Sequence, residues 1–221
     1  MNIAAVVTAA GSGSRLGRAV PKALVPVADK PMIEWAVAGV AGVAKDIVVT
    51  APADAMEDFR AALSHIDADV TVVAGGENRQ ESVSLGLAAL SGGIEAVLVH
   101  DAARPFTPGD VFARVLEGLD SADGVIPMVP VVDTVIRTGG VGVAYLDRSE
   151  LGAVQTPQAF RPAALLDAHA RAARDGVLAT DDGALLVHYG YRVDTCAGDP
   201  QALKITYQED LDHFERRLAS E

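Results

Sequence analysis

Short apolar runs, mostly β-branched, recur along the chain with helical stretches between them, and this alternation restricts the fold more than any other feature. The runs cover residues 3–8, 46–50, 69–73, 95–99 and 124–129. They are nearly continuous rather than alternating, as strands covered on both faces require. Between them, residues 32–43 behind Pro31, 53–66 behind Pro52, 79–90 and 108–119 read as helices. Strand alternating with helix predicts an α/β fold of three layers, a mostly parallel twisted sheet with right-handed crossovers and helices on both faces. Ligands of such sheets bind beyond the carboxyl ends of the strands. After Pro130 the pattern changes: residues 131–138 and 141–146 flank Gly139-Gly140, the signature of a two-residue hairpin turn. A protruding β-hairpin arm over about residues 131–155 is therefore expected. An isolated hairpin is marginal in water, so it should pack on its own domain or on a second subunit, and a homodimer is expected. Helices over 162–174 and 181–189, a strand over 192–195 and a closing helix over 208–218 complete a single domain spanning 1–221, without repeat or linker.

Composition narrows the function. Half of the 221 residues are hydrophobic and 22% are charged, which excludes a disordered chain. Eighteen Lys and Arg against thirty Asp and Glu give a net charge of −12, a field that repels nucleic acids and anionic membrane surfaces. The lone Cys196 can close no internal disulfide, and no apolar run approaches a membrane span, so a cytoplasmic setting is expected. The sequence stops at Glu221, soon after the closing helix, so a fused second enzyme is not expected.

Against this acidic background the first 28 residues carry Arg15, Arg18 and Lys22 and no acid. The first run leads into Ala10-Gly11-Ser12-Gly13-Ser14-Arg15, with Pro21-Lys22 downstream. Glycines let backbone N–H groups approach an anion, and Arg and Lys add charge-assisted donors, which suits a di- or triphosphate. A bare Gly-x-Gly is ordinarily a turn; the attached cations favour phosphate. Leu16 stands where a dinucleotide fingerprint needs glycine, no Tyr-x-x-x-Lys pair is present, and no Gly-Lys-Ser/Thr completes a Walker loop. The run ending at Val99 is followed by His100-Asp101-Ala102-Ala103-Arg104-Pro105, which places Asp101 at the carboxyl end of the sheet. A carboxylate there suits Mg²⁺ carried by nucleotide phosphates, although Asp at a strand end is also a frequent cap. Gly76 to Ser82 forms a loop entering a helix, where Arg79 and Ser82 can meet a nucleotide or serve as capping chemistry. The five histidines show no metal-ligand spacing, and His100, Trp35 and Cys196 read as core.

Taken together, the segment from Ala9 to Arg15, Pro21-Lys22, the His100 to Pro105 run, Thr156-Pro157-Gln158, Thr180-Asp181-Asp182 and Lys204-Ile205-Thr206 resemble the 2-C-methyl-D-erythritol 4-phosphate cytidylyltransferase family over residues 3 to about 211. The resemblance implies a Rossmann-like nucleotidyltransferase fold, a homodimer joined through the arm, and transfer of CMP from CTP to a sugar-alcohol phosphate with a divalent cation such as Mg²⁺. It assigns Arg15, Lys22 and Lys204 to the triphosphate as catalytic cations; together with the loop readings above, Ala10, Gly11, Ser12, Gly13, Gly76, Arg79, Ser82, Asp101 and Ala102 are the residues expected around the nucleotide. Asp101 is also placed near the metal and acceptor. Arg104, Thr156 and Thr180 contact the acceptor, and Thr134 and Arg148 reach the acceptor phosphate in the partner subunit's site. Ala23 replaces a common glutamine, Asp182 the usual glutamate, and Tyr207-Gln208 a common Arg-Pro; none removes one of the charged groups. The implied chemistry is in-line attack by the acceptor phosphate on the α-phosphorus of CTP. Two alternatives remain at this point: a sister cytidylyltransferase acting on ribitol 5-phosphate, and a non-catalytic nucleotide-binding protein on the same fold.

Overall fold

The computed structural model describes residues 1–11, 20–139 and 142–219. Its first half is the expected alternation: β1 (Ile3–Thr8), two two-residue strands β2 (Pro26–Val27) and β3 (Lys30–Pro31), α1 (Met32–Ala41), β4 (Asp46–Ala51), α2 (Met56–Leu63), β5 (Asp69–Ala74), α3 (Arg79–Ala88), β6 (Ala96–Asp101) and α4 (Gly109–Glu117). The second half holds β7 (Gly124–Pro130), β8 (Ile136–Arg137), β9 (Ala144–Tyr145), β10 (Gly152–Val154), β11 (Gln158–Phe160), α5 (Pro162–Asp175), α6 (Asp182–His188), β12 (Val193–Ala197) and α7 (Gln208–Leu218).

The main sheet runs β5, β4, β1, β6, β11, β7, with β10 sharing the β11 edge of β7 and β12 along its other edge. Strands β5, β4, β1 and β6 are mutually parallel; β11 is antiparallel to both β6 and β7. The near-continuous apolar runs follow from this arrangement, because alternate residues of β1 enter different cores. Ala5 and Val7 pack with Ile33, Val37, Phe59 and Phe112 on one face, while Val6 packs with Val83, Leu87, Leu165 and Leu185 on the other. A third cluster, Val25, Val27, Met32, Ile205, Leu211 and Phe214, fastens α7 beside the β2–β3 pair. Gly86 shows how closely α3 lies on the sheet: a Cβ there would stand 2.5 Å from Val6 Cγ1.

Several boundaries differ from expectation. The helix behind Pro52 begins only at Met56, because residues 52–55 turn the chain back from β4. The strand expected to end at Val99 continues through His100 to Asp101, paired there with Val7 and Thr8 of β1. The hairpin register also differs. Arg137 pairs with Ala144 and Ile136 with Tyr145, a different register from the one a two-residue Gly139-Gly140 turn would set; Gly140 itself lies outside the described residues. Residues 152–154, expected within the arm, pair with β7 in the main sheet. Strand β11 was not anticipated; three residues carry no readable period.

Candidate functional site

The register of the central strands builds the site. Thr8, the last residue of β1, lies beside Asp101, the last of β6, so both strands deliver their following loops to one end of the sheet. There a cleft of about 470 Å³ is lined by Ala10, Gly11, Lys22, Gly76, Arg79, Ser82, Asp101, Ala102 and Lys204. These nine are expected nucleotide or catalytic residues, brought together from five separate segments. Ser12, Gly13 and Arg15 lie outside the described residues.

Local chemistry fixes each wall. Lys22 opens a single helical turn over Lys22–Leu24, set by Pro21. The loop before α3 is closed on itself: Asn78 Oδ1 accepts from Glu81 N at 2.9 Å, Gly76 N donates to Ser82 Oγ at 3.1 Å, and Ser82 Oγ donates to Asn78 O at 2.9 Å. Asn78, not Ser82, is therefore the helix cap. Gly75 is required by close approach, since a Cβ there would lie 2.4 Å from Ala10 Cβ.

Asp101 is the electrostatic centre. It is buried; Lys204 Nζ donates to Oδ2 at 2.6 Å, and Arg79 Nε and Thr8 Oγ1 donate to Oδ1 at 3.1 and 3.3 Å. Its backbone N–H donates to Thr156 Oγ1 at 3.0 Å. Burial pushes its carboxyl pKa up, but Arg79 and Lys204 outweigh this and hold it well below the usual carboxylate range. Next to it, burial lowers the His100 pKa to about 4. His100 Nδ1 lies 3.0 Å from Thr156 Oγ1 and Nε2 lies 3.3 Å from Arg104 O, so this histidine is a neutral structural group, as the sequence suggested.

Asp101 and Glu77 are the carboxylates lining the cleft, and among the described residues no three His, Cys, Asp or Glu side chains cluster as a metal cage. The donor set fits a divalent cation held chiefly by ligand phosphates with one protein carboxylate.

Apart from Asp101, the expected acceptor residues do not line this cleft. Arg104 Nη1 donates to Ala202 O at 2.6 Å and Nη2 to Val154 O at 3.2 Å, tying β10 to the turn before Lys204. Thr156 is buried beneath Asp101. Thr180 is exposed before α6, and Thr134 and Arg148 are exposed on the segment between β7 and β10, where Arg148 Nη1 donates to Val132 O. Thr8, Ala9, Ala23, Met32, Asn78 and Thr206 were not anticipated and line the cleft. They carry no charge; Ala9, Ala23 and Thr206 lie in or beside the motifs quoted above, whereas Thr8, Met32 and Asn78 are brought to the cleft only by the fold.

At the ends of β1 and β6 the cleft gathers Lys22, Asp101 and Lys204, residues on which the resemblance rested, with Arg79 from the loop before α3. The family model described as 2-C-methyl-D-erythritol 4-phosphate cytidylyltransferase matches residues 3–220. The chain belongs to the 2-C-methyl-D-erythritol 4-phosphate cytidylyltransferase family. A Saccharopolyspora erythraea protein named for that activity is 43% identical over 99% of this chain and 100% of its own length. The Clavibacter michiganensis bifunctional enzyme IspD/IspF is 44% identical over 97% of this chain, which spans 54% of that longer protein. The crystal structure of the Thermus thermophilus family member superimposes with a TM-score of 0.82 at 34% identity, covering 99% of this chain and 100% of that one. The Anaerococcus prevotii 4-diphosphocytidyl-2C-methyl-D-erythritol synthase structure gives 0.88 at 27% identity, over 99% of this chain and 98% of that one. These family structures agree with the three-layer, mostly parallel sheet.

Proposed function

We propose that the cleft binds CTP and that the protein transfers CMP from it to 2-C-methyl-D-erythritol 4-phosphate, releasing pyrophosphate. The observation that carries this is the convergence of Lys22, Arg79 and Lys204 on one cleft in a chain of net charge −12. An oxygen of the acceptor phosphate attacks the α-phosphorus in line; the new P–O bond forms as the bond to the bridging oxygen breaks, and pyrophosphate carries away the electron pair. A phosphate monoester is largely ionised near neutrality, so no strong base is needed. The protein's task is to hold two polyanions together and offset their charge. Lys22 and Lys204, with Arg15 from the glycine-rich loop, supply that charge, and Asp101 keeps Lys204 aimed into the cleft. Asp101 would hold a divalent cation such as Mg²⁺, which when bound neutralises triphosphate charge.

We further propose a homodimer in which residues 131–151 reach the neighbouring subunit. Thr134 and Arg148 are exposed on this segment and do not line their own cleft, which leaves them available to an acceptor bound in a neighbouring subunit. Val132, Val143 and Tyr145 on the same segment are 76%, 61% and 75% exposed, apolar surface that a second copy would cover. No helix among the described residues is long and apolar enough to cross a membrane, and a cytoplasmic enzyme is in keeping with the single Cys196. The test is ³¹P NMR of a reaction containing protein, CTP, Mg²⁺ and methylerythritol phosphate: new diphosphate-diester resonances are expected, and their absence with intact CTP defeats the proposal.

A further inference from the structure

Behind the cleft, Arg79 connects two buried carboxylates from different elements. Its Nε donates to Asp101 on β6 at 3.1 Å, and its Nη1 donates to Asp182 Oδ2 at the start of α6 at 2.7 Å. Asp182 is 1% exposed, and its other oxygen, Oδ1, lies 2.9 Å from Nε2 of His169 on α5, itself 5% exposed. Lys204 closes the other end on Asp101. The result is a continuous chain, His169 to Asp182 to Arg79 to Asp101 to Lys204, running from the core between α5 and α6 to the cleft. Neither His169 nor Asp182 lines the cleft. Burying a carboxylate is costly unless both oxygens are hydrogen-bonded, and Asp182 meets that condition through His169 on one oxygen and Arg79 on the other. Gln158 fixes the frame: its Nε2 donates to Asp181 Oδ2 at 2.8 Å and its Oε1 accepts from Gly183 N at 3.2 Å, pinning the start of α6 to the sheet.

We infer that His169 and Asp182 are positioning residues for nucleotide binding, acting through Arg79. With Asp182 anchored, the guanidinium is shared between two carboxylates and Lys204 keeps its own oxygen of Asp101. Without that anchor Arg79 withdraws onto Asp101, competes with Lys204, and both cations leave the geometry that receives a triphosphate. Arg79 Nη2 is buried on this wall without a hydrogen-bond acceptor, as expected of a guanidinium placed by its other two nitrogens.

The assignment rests on CTP occupying the cleft, and calorimetric titration of the intact protein with CTP and Mg²⁺ separates the two ideas. His169→Phe should weaken the CTP Kd by about tenfold, a coupling typical of residues in one polar network, and leave the KM for methylerythritol phosphate within about twofold. His169→Gln, whose amide can still donate to Asp182, should restore most of the affinity. In an Arg79→Lys background, which removes the fork, His169→Phe should cost no further affinity. Additive losses in that double variant, or an unchanged Kd in His169→Phe, overturn the positioning role, as does equal loss for CTP and acceptor that His169→Gln does not rescue. Wild-type protein that binds no CTP defeats instead the assignment of the cleft.

Discussion

His100 should make the fold acid-sensitive by a calculable amount. The side chain is 1% exposed, with its ring against Phe112 and both nitrogens engaged by Thr156 and Arg104. Nε2 faces a carbonyl oxygen and so carries the proton; Nδ1 accepts from the Thr156 hydroxyl, whose oxygen accepts the Asp101 N–H. The neutral ring satisfies every partner. Burial is the main cause of its lowered pKa, the nearby Asp101 charge opposes the shift, and Arg104 adds to it, with a net fall from 6.5 to about 4. The unfolded chain therefore binds this proton below about pH 6.5, whereas the folded protein takes it only near pH 4. Between those limits the unfolded state holds more protons, so stability falls as pH falls, at up to about 1.4 kcal/mol per pH unit. The loss reaches about 2 kcal/mol at pH 5 and approaches about 3 kcal/mol below pH 4. Against a typical stability of about 5–15 kcal/mol this is readily measured. Urea unfolding of wild type and His100→Asn from pH 7 to 4.5 isolates it, because contributions common to both cancel. His100→Asn should be less stable at pH 7, and the gap should close by about 2 kcal/mol by pH 5. A gap independent of pH would refute the assignment of a buried neutral His100.

Other substitutions test the remaining layers. Lys22→Ala and Lys204→Ala should each lower CTP-dependent turnover about a hundredfold, as loss of one donor to developing charge does, measured by steady-state kinetics at saturating substrates. Asp101→Asn should lower thermal stability, with Arg79 and Lys204 losing their shared anion, and should reduce turnover as well. Gly86→Ala drives a methyl group to 2.5 Å from Val6 Cγ1 and should destabilise by about 1–3 kcal/mol in thermal unfolding, with both KM values unchanged. Tyr145→Asp should shift sedimentation from dimer to monomer and weaken acceptor use more than CTP binding.

The sheet was legible because buried parallel strands impose long β-branched runs: β1, β4, β5, β6 and β7 all fall where those runs lie. Strands β10 and β11 were not, since they are three residues each and owe their place to pairing with β6 and β7. The Gly139-Gly140 pair suggested a pairing register other than the observed Arg137–Ala144 one, and Gly140 lies outside the described residues. In the site, Lys22, Arg79 and Asp101 could be singled out from the glycine-rich segments and a strand end, Lys204 only through the family resemblance, and the fold brings all four to one cleft. Arg104 was also singled out beside Asp101, and its guanidinium donates to the carbonyls of Ala202 and Val154, contacts that no sequence pattern foretold. His169 carried no signal, and Asp182 entered only as part of the Thr180-Asp181-Asp182 segment: they sit on different helices, and only the fold brings them into hydrogen-bond contact in the core.

The most direct test of the central claim is pyrophosphate release by the purified protein with CTP and Mg²⁺, with methylerythritol 4-phosphate, ribitol 5-phosphate and no acceptor run side by side. Release that depends on methylerythritol phosphate and is absent from the other two reactions is the predicted result. Release with ribitol phosphate alone would keep the cleft and its cations but contradict the proposed acceptor, and release with neither, from protein that still binds CTP, would contradict catalysis itself.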